Sequence, residues 1–315
     1  MNMKRIHILL IGAVAFIGLS CTKEGPVTDI VPENGGENPE QVATACRDIK
    51  VFYASFASEG AETKVYLDEN SKIHWNAGDR ISIFNRNTAN GQYAFAGSDG
   101  DRSGSFTFIN NGVSGSNLSR VYAVYPYKSS TSITTAGVIN FDLPATQTYL
   151  PNSFGLGANT MVAVSDGQAL YFKNACGYLV LNMYGVGQVA SISLKTKGGV
   201  KIAGDATITL NGDTPVVTTG ANAVDEVLLD CSSNPVQIGF NASEATEFWF
   251  VLPPVALSGG LTLTITGASG GTYVKSTSNT FIIGRNSIFR INPFEINVSS
   301  GSQIEEGEEL DGGSY

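Results

Sequence analysis

The chain has 315 residues, 42% of them hydrophobic and 15% charged, which is long for one ordinary domain and too apolar for wholesale disorder. Its net charge is -9 and no basic cluster breaks that balance, so a nucleic-acid surface is excluded. Only His7 and His74 occur, and Cys21, Cys46, Cys176 and Cys231 form no CxxC pair, which excludes a histidine triad, a multi-histidine metal site and dithiol chemistry.

Residues 1–20 read as a lipoprotein signal peptide. Lys4 and Arg5 precede an apolar stretch over residues 6–19, and the small Ser20 stands directly before Cys21. Gly18-Leu19-Ser20-Cys21 has the order of a bacterial lipobox, with Leu two rather than three residues before the cysteine. Cys21 is the expected lipid-attachment site. Several acyl chains, each contributing about 0.8 kcal/mol per buried CH₂, would hold the protein on a membrane without spanning it. Residues 21–47 read as a flexible tether, because Pro26, Pro32, Pro39 and five acids leave no apolar periodicity to offset ordering entropy.

From Asp48 the period changes to two. Strands are predicted over 51–56, 64–67, 80–84, 105–108 and 121–125, then over 177–184, 190–194, 206–210, 248–251 and 261–265. Asn-Gly, Asp-Gly, Gly-Gly and Ser-Gly pairs between them supply turn chemistry, and no helical stripe follows the signal. The expected fold class is all-β, built as antiparallel sandwiches. Val121 to Pro126 and Trp249 to Pro253 are both apolar strands stopped by proline, an internal echo that suggests two sandwiches. The expected layout is an N-terminal sandwich over 48–166, a C-terminal one over 167–298 and an acidic tail over 299–315. One large sandwich with insertions is the alternative.

Several residue runs, in their order, resemble a known family. They are Trp75-Asn-Ala-Gly78-Asp79, Tyr122 to Tyr127, Leu143-Pro144-Ala-Thr-Gln147, Phe172-Lys-Asn-Ala-Cys-Gly177, Phe248 to Pro254, and Arg285-Asn286 with Ile291-Asn-Pro293. Across roughly residues 48–298 the chain resembles the fimbrillin-like lipoproteins of Bacteroidetes, related to type V pilus subunits. The resemblance implies two tandem transthyretin-like β-sandwich domains and export to the outer membrane as a surface lipoprotein or fimbrium. It also implies adhesion to a host or bacterial surface receptor and assembly with other pilus subunits by β-strand addition. It carries no catalytic residues, cofactor or metal. In such pilins a cut after a basic residue removes the first strand. Arg47 and Lys64 are the two candidate processing sites, but only a cut after Lys64 would remove residues 51–56. The acidic tail, with Ile304 and Leu310 as its apolar anchors, makes a poor donor strand, which favours an anchor or tip subunit over a stalk subunit.

The remaining candidates have simpler readings. Trp75 is expected in a core beside a turn, and His74 is expected to face solvent or a hydrogen-bond partner. Trp249 sits in a strand where either face must be buried. Cys176 and Cys231 are expected as small core residues, with a bridge between them permitted in the envelope but not readable from sequence. Asp99, Asp101 and Asp166 hint only weakly at calcium. A surface glycan-binding β-sandwich lipoprotein is the alternative function, and an envelope hydrolase a distant third.

Overall fold

In the computed structural model, the residues described are 49–57, 73–85, 89–112, 120–306 and 310–314. The predicted strand at 64–67 lies outside them. Every other predicted run is a strand, because β-branched and aromatic residues at period two suit a pleated surface buried on at least one face. The first strands are β1 (Val51–Phe56), β2 (Arg80–Asn85), β3 (Gly91–Phe95), β4 (Ser103–Asn110), β5 (Val121–Tyr125), β6 (Ser132–Ile133), β7 (Ile139–Leu143), β8 (Thr146–Leu150), β9 (Ser153–Phe154), β10 (Met161–Ser165) and β11 (Ala169–Asn174). They are followed by β12 (Gly177–Val186), β13 (Gln188–Thr196), β14 (Gly204–Asn211), β15 (Thr214–Thr219), β16 (Glu226–Asp230), β17 (Val236–Gln237), β18 (Thr246–Leu252), β19 (Val255–Leu257) and β20 (Leu261–Gly267). The last are β21 (Thr272–Thr277), β22 (Phe281–Ile283), β23 (Ile288–Ile291), β24 (Phe294–Asn297), β25 (Ser302–Glu306) and β26 (Gly312–Ser314). Among the described residues, one 3-10 turn, Ala242–Glu244, is the whole helical content.

Two features differ from a pair of purely antiparallel sandwiches. Seven strands close on themselves in the order β1-β11-β10-β5-β2-β3-β4, giving a barrel-like sheet in place of two separate sheets. Parallel pairs also occur: β1 with β11, β8 with β16, β12 with β23 and β24, and β21 with β25. Hairpins can only join antiparallel neighbours. Parallel pairing arises here because long connections bring distant segments back alongside earlier ones. Asp166-Gly167 lies in the turn between β10 and β11, which are both barrel strands, while β7 pairs with β14 and β8 with β16.

Two buried cores result. The barrel encloses Phe52, Trp75, Ile81, Ile83, Tyr93, Phe106, Val121, Ala123, Tyr125 and Phe172, among others. The larger core gathers side chains of β12, β13, β18 and β20. Three strands form a wall shared by both. Ile81 and Ile83 of β2 face the barrel core while Phe84 faces the other. On β5, Val121, Ala123 and Tyr125 point one way and Tyr122 and Val124 the other. Met161 and Ala163 of β10 are likewise opposed by Val162. That is why Val121-Tyr-Ala-Val-Tyr carries no polar residue: alternation sends each side chain into one core or the other.

Candidate functional site

No cluster of three or more His, Cys, Asp or Glu able to hold a metal occurs among the described residues. The acids that hinted at calcium instead bond backbone amides. Asp99 accepts from Ala77 N at 2.7 Å, Asp101 from Ser98 N at 2.8 Å and Asp166 from Arg120 N at 3.1 Å. His74 donates from Nδ1 to the Gly100 carbonyl at 2.5 Å. Cys176 and Cys231 are both buried and not bridged. Burial pushes each thiol up to about 12, so neither is a nucleophile near neutral pH.

Trp75 is fully buried, ringed by Phe56 (stacked, centroids 4.7 Å apart), Phe106, Tyr125 and Phe172. The turn after it is shaped by Gly78, whose φ of 79° favours glycine, and by Asp79. Asp79 accepts from Asn76 N at 2.8 Å and from the Tyr125 hydroxyl at 3.2 Å. Burial holds its carboxyl above the usual aspartate value, outweighing both hydrogen bonds. Burial, with the Asp79 charge added, also raises the Tyr125 hydroxyl well above its ordinary value.

The remaining motifs meet across the fold. Gln147 lays its amide against β18, donating to Val251 O at 2.8 Å and accepting from Val251 N at 2.9 Å. The side chain thus acts as one more rung of backbone ladder in a dry site. Asn174 donates to Asn286 Oδ1 at 2.8 Å and to the Tyr178 hydroxyl at 2.7 Å, and it accepts from Asn159 at 2.8 Å. Arg285 Nη1 donates to Asn174 O at 2.9 Å. The Phe172-Lys-Asn and Arg285-Asn286 runs are therefore two halves of one joint. The polar atoms named here are engaged within the protein.

The first strand and the described part of the tail, which the sequence ties to assembly, are both seated in the fold. β1 pairs antiparallel with β4 (Val51 opposite Thr107) and parallel with β11 (Tyr53 opposite Ala169). It inserts Phe52 and Ala54 into the barrel core and stacks Phe56 on Trp75. Its outer face carries Tyr53, which with Tyr171 of β11 is 60% exposed. Sequence reading did not single out these two tyrosines, although alternation from the buried Phe52 and Phe172 would have placed both outside. At the other end, β25 adds parallel to β21, Leu310 is buried, and β26 pairs with β23. Asn292 N donates to Asp311 O at 2.7 Å. The described part of the tail thus pairs with its own chain. Cys21, Arg47 and Lys64, the predicted lipid and processing sites, lie outside the described residues.

No protein-family model and no curated protein sequence matches the chain. Among solved structures it is similar to a candidate cell adhesion protein from Bacteroides ovatus, with 13% identity, a TM-score of 0.47, and coverage of 85% of this chain and 97% of that one. A candidate cell adhesion protein from Bacteroides uniformis aligns with 18% identity and a TM-score of 0.46, over 84% of this chain and 97% of its own. A fimbrial protein from Bacteroides ovatus aligns with 14% identity and a TM-score of 0.32, over 82% of this chain and 52% of its own.

Proposed function

We propose that this chain is a non-enzymatic cell-surface lipoprotein of the fimbrillin-like kind, anchored through Cys21 in the outer membrane. In this reading it is a pilus subunit, of the anchor or tip sort, that joins other subunits by β-strand addition and supports adhesion. On this reading the two cores, which share the wall of β2, β5 and β10, correspond to the two domains that the resemblance implies. The observation that carries the proposal is the position of β1. It is the first strand described, it lies between β4 and β11, and it fills the barrel with Phe52 and Ala54. A cut after Lys64 followed by loss of β1 would leave two unpaired strand edges over an apolar groove. An incoming strand of the same alternation completes such a groove. The accessory role is supported by the tail, whose β25 and β26 pair within the chain and so are not free to serve a neighbour.

Trypsin treatment of the purified soluble form, followed by mass spectrometry and electron microscopy, tests the assembly mode. The expected result is a cut after Lys64 without long homofibres, with addition to the end of a fibre built from other subunits. Ready growth of long homofibres, lost on deleting residues 299–315, would make the protein a stalk subunit instead. Absence of any fibre association on cells would overturn the pilus reading. For the anchor, a clickable fatty acid should label the wild type and not Cys21→Ala.

A further inference from the structure

A second feature lies away from β1 and uses different chemistry. A cavity of about 430 Å³ opens beneath the turn joining β6 to β7, lined by Arg120, Tyr122, Ile133, Thr134, Thr135, Ala136 and Gly137. Arg120 is held at both ends. Its backbone, at φ 66°, donates through N–H to Asp166 Oδ1 at 3.1 Å, and its Nε donates to the Tyr122 hydroxyl at 2.9 Å. A non-glycine residue at positive φ is uncommon and marks a position that its surroundings have to hold. Tyr122 is buried, and Gly137 lets the turn close over its hydroxyl; a Cβ at Gly137 would sit 2.6 Å from that oxygen.

The donors that this leaves are informative. Arg120 lines the cavity, and among the described residues no carboxylate pairs with its guanidinium and no hydrogen bond engages its two Nη groups. Asp166, the nearby acid, is engaged with the Arg120 backbone amide. The turn is closed by Gly137 N donating to Thr134 O at 2.9 Å and by Val138 N donating to Thr134 Oγ1 at 3.1 Å. Among the described residues the Thr134 hydroxyl proton and the whole Thr135 hydroxyl have no partner, which leaves them for a ligand. Arg120 is the one charged group in the lining, set in a chain of net charge -9.

We propose that this cavity binds a carboxylate-bearing sugar. A planar guanidinium fork matches a carboxylate in two parallel hydrogen bonds. Thr134 and Thr135 present hydroxyls that a pyranose can answer, and Ile133 offers an apolar face to its C–H side. A phosphate ester would want more than one cation, and a nucleobase would want an exposed ring, which the buried Tyr122 does not provide. The site does not depend on strand addition, so its failure would leave the assembly reading untouched.

The test uses the full chain, with arginine side-chain and backbone amides labelled for NMR. It is titrated with glucuronate and N-acetylneuraminate, and with glucose, acetate and acetyl-triglycine as controls. At least one acidic sugar should move the Arg120 Nε–H and Thr135 amide signals saturably, with Kd on the order of 1 mM for so open a site. Arg120→Lys, which keeps the charge and loses the fork, should weaken it by roughly tenfold. Thr135→Val removes no side-chain hydrogen bond found among the described residues and should weaken it by roughly threefold. No saturable shift with either acidic sugar, shifts mapping elsewhere, or equal affinity for acetate would overturn the proposal. Tighter binding of acetyl-triglycine would overturn it too and make the pocket a peptide-carboxylate site.

Discussion

The two tryptophans of the chain occupy opposite kinds of interior. Trp75 lies in a box of carbon, with aromatic rings on several sides, and its indole N–H has no hydrogen-bond partner among the described residues. Trp249 is equally buried but framed by charge. Its Nε1 donates to Glu247 Oε2 at 2.8 Å, Glu247 pairs with Arg290, and the Arg290 guanidinium carbon lies 5.1 Å from the indole centroid. One ring stabilises purely by packing, at a polar cost; the other links a core strand to a half-buried ion pair. Neither ring can serve as a platform for a sugar, since neither is open to solvent.

The largest expected effect breaks the comparison directly. Trp75→Ala and Trp249→Ala should each cost about 3–5 kcal/mol in denaturant unfolding, as cavities in packed cores do. Replacement by Phe should then separate them. At Trp75 ring volume is what is lost, because the N–H has no hydrogen-bond partner among the described residues. At Trp249 the lost hydrogen bond to a charged acceptor adds roughly 1.5 kcal/mol, discounted by the partial exposure of Glu247. Equal costs for the two Phe variants would mean that the polar frame of Trp249 contributes nothing.

An intermediate effect is expected where a side chain takes the place of a strand. Gln147→Ala should cost about 2–4 kcal/mol, because it strands the N–H and C=O of Val251 in a buried site. Gln147→Glu should be at least as costly, since a carboxylate accepts but cannot donate to Val251 O. A loss under about 1 kcal/mol would show that water enters and replaces the amide.

The smallest effect is a pH dependence on the Trp75 side. Burial raises the Asp79 carboxyl, so the folded state holds that proton more tightly than the unfolded chain. The resulting contribution favours folding below the ordinary aspartate value and is lost as pH rises through the raised one. Unfolding followed across that window should show wild type losing stability relative to Asp79→Asn as pH rises. A flat difference between the two proteins would place Asp79 in a solvated setting.

Strand positions were legible because period two is a local property: residues 80–84, 121–125 and 261–265 announce themselves without any partner. Trp249 was legible as buried for the same reason, since Phe248 and Phe250 left neither face for water. The family-like runs were legible as a series but not as contacts. Nothing near Asn174 indicates that it meets Asn286, and nothing near Gln147 indicates that it meets Val251. Arg120 drew no notice at all, because a single arginine beside an apolar strand has no local signature.

By itself, then, the amino-acid order determined which segments become strands, which of their residues turn inward, and where turns interrupt them. Tertiary structure alone decided the partners. Alternation specifies faces, but it says nothing of which strand lies alongside or whether a second core waits on the other face. The parallel seating of β1 against β11, the doubly buried wall of β2, β5 and β10, and the cavity beside Arg120 all arise from long-range pairing. Such pairing is selected by the summed burial of many distant side chains, a quantity that no short stretch of sequence contains.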